Sequence, residues 1–95
     1  MHTDVMYKIP GGKLVRLSLD FDTTHITRAR IYGDFFIHPE ETIHDMELCL
    51  TNLAVETTAE RIEALLQNVV EQHQAELIGI DTLNLSKRIR EAIRQ

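Results

Sequence analysis

The sequence has few of the features that mark secreted or membrane-spanning proteins. Its 95 residues include a single cysteine, Cys49, so no disulfide can form within the chain. We expect this thiol to be packed on the apolar side of a helix, since unpaired cysteines are usually buried. There is no run of about 18 apolar residues for a membrane span. The first residues also lack the basic and apolar segments of a signal peptide, which favours a cytoplasmic protein.

Length and charge argue against two further classes of protein, large enzymes and nucleic-acid-binding modules. A chain of 95 residues supplies one domain with a modest core and leaves little room for a large enzyme cleft. The net charge of -5 is unevenly distributed, with +2 on residues 1–30, -9 on residues 31–80 and +2 on residues 81–95. A nucleic-acid-binding module would instead present a dominant basic face. Only small basic patches are expected, on the sheet and on the last helix.

Two segments alternate between apolar and polar residues, as strands with one buried face do. The first covers residues 14–21 and the second residues 25–33. Residues 5–9, before a Pro-Gly-Gly turn, add a third strand. The sequence therefore predicts an antiparallel meander with one face in water.

The register of the hairpin is predicted from its apolar residues. A three-residue loop at residues 22–24 would pair Leu17 with Ala29 and keep the apolar side chains on one face. Arg16 would then lie directly opposite Arg30. Like charges in such positions destabilise a sheet unless an anion lies between them. The two arginines therefore belong either to a solvated face or to a docking surface for an acidic partner.

After the last strand, apolar residues recur at the spacing of helices. We predict a first helix over residues 39–53 and a second that begins at a capping box formed by Thr57 and Glu60. A third helix is capped by Asp81 or Ser86. An antiparallel three-stranded meander sheet packed with about three helices is an α+β domain, and residues 1–95 are expected to form a single one.

Gly11, Gly12 and Lys13 form a glycine turn with an adjacent cation. Glycine allows positive φ and lets the backbone come close to a ligand or another chain. A lysine beside such a turn commonly binds an anion. The complete spacing of a phosphate-binding loop is missing. The turn is therefore either a plain turn or a contact for a phosphate or a partner protein.

Phe35 and Phe36 are two of only five aromatic residues, and they follow directly after the third predicted strand. Adjacent residues of an extended chain point to opposite sides, so we expect one ring in the core. The other ring is then available to anchor a partner. Asp34 is expected to hydrogen-bond within its own turn.

The sequence favours neither a metal centre nor a nucleophile. His38, Glu41 and His44 with Asp34 are ligand types that zinc accepts. Glu41, however, has a simpler use at the positive end of a helix dipole. No serine lies in a strained nucleophile turn, and no cysteine and histidine are placed together. We therefore expect no catalytic residues and no metal site in this chain.

Three segments carry a family resemblance: residues 8–15, residues 25–31 and residues 33–41, the last reading Gly-Asp-Phe-Phe-Ile-His-Pro-Glu-Glu. They resemble the C-terminal accessory domain of bacterial and archaeal lipoate-protein ligases, and a looser likeness continues to the end of the chain. The resemblance implies a fold similar to that of iron–sulfur scaffold proteins. In this family the domain follows a large catalytic domain or, in some archaea, is a separate small subunit. Because the chain begins at Met1 and has no catalytic domain, we expect the separate form.

The resemblance also implies a function. The family attaches lipoate to a lysine of lipoyl carrier domains through lipoyl-adenylate; the large domain binds ATP, lipoate and metal, and the accessory domain is needed for adenylation. We expect a heterodimer with a catalytic subunit, in which the complex uses ATP and Mg²⁺ and this chain alone binds neither. We expect lipoyl carrier domains to bind to the complex rather than to this chain alone. Nucleic acid and membranes are not expected partners. The residues expected to contact substrate or partner are Gly11, Gly12, Lys13, Gly33, Asp34, Phe35, Phe36 and His38.

Two other functions are alternatives to this one. An iron–sulfur scaffold needs several cysteine ligands, and this chain has one. The alternative is a non-catalytic interaction module that regulates another enzyme.

Overall fold

The computed structural model describes residues 1–94. The elements follow in the order β1 (His2–Lys8), β2 (Leu14–Phe21), β3 (Ile26–Gly33), β4 (Phe36–His38), α1 (Glu41–Leu50), α2 (Ala59–Gln72), β5 (Glu76–Ile78) and α3 (Thr82–Ala92). Strands β1, β2 and β3 form an antiparallel meander, and β4 pairs with β5 in a separate two-stranded sheet. The predicted α+β class, with a three-stranded meander and helices, is confirmed.

One hydrophobic core joins the meander to the helices. The central strand β2 contributes Val15, Leu17 and Leu19, none of which has any exposed surface. They belong to one cluster with residues of all three helices, including Leu66 and Leu85. The alternate residues of β2 are exposed or half-buried. The sheet therefore has one face covered by helices and one face open to solvent, as its alternation predicts.

The predicted register of the β2–β3 hairpin is wrong by two residues. Leu17 lies opposite Ile31, where Ala29 was expected, and the register shifts between Asp20 and Phe21. The loop explains the difference, because the Asp22 carboxylate accepts the backbone N–H groups of Thr24 and His25, at 2.8 Å each. This side-chain turn replaces the glycine that a tight loop would need. A shift of two residues keeps Ala29 and Ile31 on the predicted apolar face. At the start of β3 the predicted faces are wrong, because the irregularity after Asp20 puts Ile26 in the core and leaves Thr27 exposed.

In the observed register Arg16 and Arg30 are not opposite one another. Arg16 lies across from Tyr32, and Ser18 lies across from Arg30. The expected like-charge pair is therefore wrong, and the two arginines are diagonal neighbours on the open face. The first strand also begins earlier than residues 5–9, at His2.

The first helix is shorter than predicted, and the second begins one residue later than predicted. The first one covers Glu41–Leu50 rather than residues 39–53. It stops early because Ile26, at the edge of β3, donates to the Leu53 carbonyl and accepts from the Asn52 N–H. The second helix is capped by Thr58, which accepts from the Arg61 N–H, so the predicted capping box is wrong by one residue.

Asp81 caps the last helix. Its carboxylate accepts from the Asn84 N–H at 2.6 Å, which decides between the two predicted caps. Strand β5 was not predicted, because three residues between two helices give no alternation long enough to recognise. Its pairing with β4 fixes the segment after β3 against the chain before α3.

Candidate functional site

The glycine turn is a compact β-turn at the end of the β1–β2 hairpin. The Gly12 N–H donates to the Ile9 carbonyl oxygen at 2.8 Å, with Pro10 and Gly11 between them. Gly11 has φ +75°, the left-handed value that the third position of a type II turn requires. Proline at the second position already holds the φ that this turn needs. The sequence therefore encodes the turn locally.

The residues after β3 are held directly against this hairpin. The Asp34 N–H donates to the Leu14 carbonyl oxygen at 2.9 Å. Gly33 has φ +149°, and a Cβ atom there would lie 2.3 Å from the same oxygen. Glycine is thus required for this close approach. Two of the predicted site segments, the glycine turn and residues 33–34, consequently lie side by side.

A third segment, which the sequence analysis did not assign to the site, completes it. The Lys13 N–H donates to the Gly79 carbonyl oxygen at 3.1 Å. Gly79 has φ +83°, and a Cβ atom at this position would lie 2.5 Å from Lys13 Cγ. The aliphatic part of the lysine therefore packs on the Gly79 backbone, while the residue remains exposed. The one sequence signal for this contact was a glycine between two predicted helices.

Phe35 and Phe36 point in opposite directions, as predicted. Phe35 is 8 % exposed and belongs to the core, whereas Phe36 is 68 % exposed. Opposite Phe36 on β5 lies Ile78, which is 49 % exposed. Directly opposed side chains of an antiparallel pair lie close to one another. The two residues therefore form an exposed apolar pair, which we call the Phe36–Ile78 pair.

His38 lies apart from the turn. It is exposed, at the far end of β4, and its cross-strand partner is Glu76. Ile37, between Phe36 and His38, is buried, so β4 is anchored to the core through its alternate side chain. The structure thus brings together the glycine turn, Gly33, Asp34 and Phe36, with Phe35 beneath them in the core.

Helix α3 is fixed to β1 next to the turn. The Arg88 guanidinium carbon lies 5.1 Å from the centre of the Tyr7 ring, a cation–π distance. Burial raises the pKa of the Tyr7 hydroxyl well above its ordinary value, so this group stays neutral. The contact fixes the middle of α3 against the end of β1.

The described residues offer little that could bind metal or act as a nucleophile. Within residues 1–94, no group of three or more histidine, cysteine, aspartate or glutamate side chains could hold an ion. Cys49 is partly buried against the core, and burial raises its pKa to about 11. The predicted packing of this thiol is confirmed. The helices in this part of the chain are too short or too polar to cross a bilayer.

The family model for the bacterial lipoate protein ligase C-terminus matches residues 6–88. The chain belongs to this family. The matched range contains the glycine turn, the Phe36–Ile78 pair and Gly79. None of the curated proteins matches it closely enough to count as a relative.

A solved structure supports the same assignment. The chain is similar to a chain from the structure of an archaeal lipoylation system, a bi-partite lipoate protein ligase and its E2 lipoyl domain from Thermoplasma acidophilum. The two chains share 26% identity with a TM-score of 0.69, over 100% of this chain and 99% of the other. The predicted family of lipoate-protein ligase accessory domains is thereby confirmed.

Proposed function

We propose that this chain is the accessory subunit of an ATP-dependent lipoate-protein ligase. In this proposal a separate catalytic subunit activates lipoate to lipoyl-adenylate only when the accessory subunit is bound. The complex then transfers the lipoyl group to a lysine of lipoyl carrier domains. The observation that carries the proposal is the match of the whole chain to nearly the whole length of a chain from a bi-partite lipoate protein ligase system.

The chemistry is assigned to the catalytic subunit. The described residues provide no ligand set for Mg²⁺, and the glycine turn lacks the spacing of a phosphate-binding loop. We therefore propose that the catalytic subunit binds the metal ion and holds the nucleotide. Because the reaction consumes ATP, we place the complex in the cytoplasm.

The Phe36–Ile78 pair is proposed as the apolar anchor for the catalytic subunit. Its backbone is fixed by the β4–β5 ladder, and Ile37 holds β4 to the core. A pre-ordered anchor loses little conformational entropy on docking. Lys13 lies beside it and supplies a positive charge, either to the nucleotide or to the subunit contact, while the glycines let the backbone approach.

Reconstitution tests the proposal. The purified chain is mixed with the catalytic subunit, ATP, Mg²⁺, lipoate and an apo carrier domain, and carrier lipoylation is followed by mass spectrometry. We expect modification only with both subunits present. Full activity of the catalytic subunit alone, without complex formation, would contradict the proposal and favour a module that regulates another enzyme.

A further inference from the structure

The open face of the meander sheet is a second surface without a partner. We define this outer face as the even-numbered residues of β1 and β2 together with Arg28, Arg30 and Tyr32. Most of these residues are exposed or half-buried, whereas the intervening residues of β2 point into the core. None of the described elements packs on it.

The outer face carries arginines whose charges are not neutralised. Arg16, Arg28 and Arg30 are all exposed. Within residues 1–94 none of them lies in a salt bridge or donates a side-chain hydrogen bond, since the ion pairs found there involve only histidines and Arg88. Asp20 lies across from Arg28, but its carboxylate is hydrogen-bonded to His2. The cations are therefore free to meet an anionic surface.

Apolar groups lie among these cations. Met6, Arg16 and Tyr32 form one row across the three strands. Met6 is 62 % exposed and Tyr32 is 41 % exposed. The Arg30 guanidinium carbon lies 5.6 Å from the centre of the Tyr32 ring. Arginine, tyrosine and methionine are among the residues enriched in protein–protein interfaces.

The distribution of charge favours an acidic protein over a nucleic acid. Residues 31–80, which include α1 and α2, carry -9, whereas residues 1–30, which include β1 and β2, carry +2. Such a division orients the molecule toward an acidic partner and accelerates docking. Asp4 and Asp20 share the outer face, and carboxylates there would repel a phosphate backbone. A mixed surface of this kind fits a folded protein.

The outer face continues into the candidate site, which identifies its occupant. The pair nearest the glycine turn on this face is Lys8 and Leu14, which lie opposite one another. The Leu14 carbonyl oxygen accepts a hydrogen bond from the Asp34 N–H. A partner seated on the glycine turn therefore reaches the sheet as well. We propose that the outer face docks onto an acidic surface of the catalytic subunit; this inference rests on the proposed function.

Charge reversal tests the docking. Arg16→Glu combined with Arg30→Glu is compared with Arg61→Glu combined with Lys87→Glu, which makes the same change in net charge on exposed helix positions. Affinity for the catalytic subunit is measured by titration at low and at high ionic strength, and circular dichroism melts verify folding. We expect the sheet variant to weaken binding by about tenfold or more and to lose salt dependence, with little effect of the helix variant.

The possible outcomes separate this inference from the proposed function. Equal losses for the two variants would overturn the inference, because only net charge would matter. Unchanged affinity of the sheet variant, with weakened binding by Phe36→Ala, would also overturn it and leave the accessory role intact. If the sheet variant lost affinity only for the isolated carrier domain and kept its affinity for the catalytic subunit, the outer face would bind the carrier, and the inference would be overturned. No binding of the wild-type chain to the catalytic subunit would overturn both proposals.

Discussion

Replacing Phe35 and Phe36 one at a time by alanine should separate folding from docking. Phe35 is 8 % exposed and Phe36 is 68 % exposed. Removing a buried phenylalanine ring costs about 3–5 kcal/mol of unfolding free energy, because a cavity is left behind. Complete burial of a phenylalanine side chain stabilises the fold by about 1.5–3 kcal/mol. Only about a third of the Phe36 side chain is shielded from water. Removing its ring should therefore lower the unfolding free energy by about 0.5–1 kcal/mol. In a domain of this size each kcal/mol shifts Tm by about 4–8 °C, which gives a drop above about 12 °C for Phe35→Ala and below about 8 °C for Phe36→Ala.

Calorimetry and a binding titration with the catalytic subunit measure both effects. At a temperature where all variants are folded, Phe36→Ala should weaken the complex by about 2 kcal/mol, the threshold of an interface hot spot. Leu48→Ala is the matched control, since Leu48 is 54 % exposed on α1, outside the candidate site. Two destabilised phenylalanine variants with unchanged affinity per folded molecule would show that both rings belong to the core alone and that the catalytic subunit docks elsewhere.

Lys13→Ala should slow formation of lipoyl-adenylate in the complex and leave transfer from preformed adenylate nearly intact, with Lys87→Ala as the control; equal loss in both half-reactions would restrict the turn to folding or assembly. Hydrogen bonds from His25 and Thr24 lower the pKa of Asp22 from 3.8 to about 2. Its stabilising effect is therefore present above about pH 4 and lost as pH falls toward 2; Asp22→Asn should lower Tm at pH 7 and reduce the acid sensitivity of Tm, and identical melting curves against pH would contradict this. With a pKa of about 11, Cys49 should react with iodoacetamide at pH 8 far more slowly than free cysteine; a rate equal to that of the free amino acid would show that the thiol is not packed.

Periodicity sufficed for the elements whose signal is local. The alternation of β2 and the helical spacing of α2 identified both elements, because each buries one face against the same core. The hairpin register was not predictable in this way, since Asp22 changes the loop length through hydrogen bonds that no apolar pattern reports. The end of α1 was not predicted for a related reason. Asn52 and Leu53 form backbone hydrogen bonds with Ile26 at the start of β3, which is distant in the sequence.

The candidate site shows the same division. The glycine turn and the opposite directions of Phe35 and Phe36 follow from neighbouring residues, and both were predicted. Gly79 and Ile78 were missed, because they reach the site through β5, a strand of three residues whose partner is distant in the sequence. Pairing between distant segments depends on the folded core and leaves little trace in a short segment.

Separate measurement of the two half-reactions tests whether this chain is needed for adenylation. Pyrophosphate release from ATP and lipoate is followed for the catalytic subunit, for this chain and for their mixture, and transfer to the carrier is then started from preformed lipoyl-adenylate. We expect release only from the mixture, and transfer by the catalytic subunit with or without this chain. Release by the catalytic subunit alone at the rate of the mixture, or release by this chain alone, would contradict this expectation.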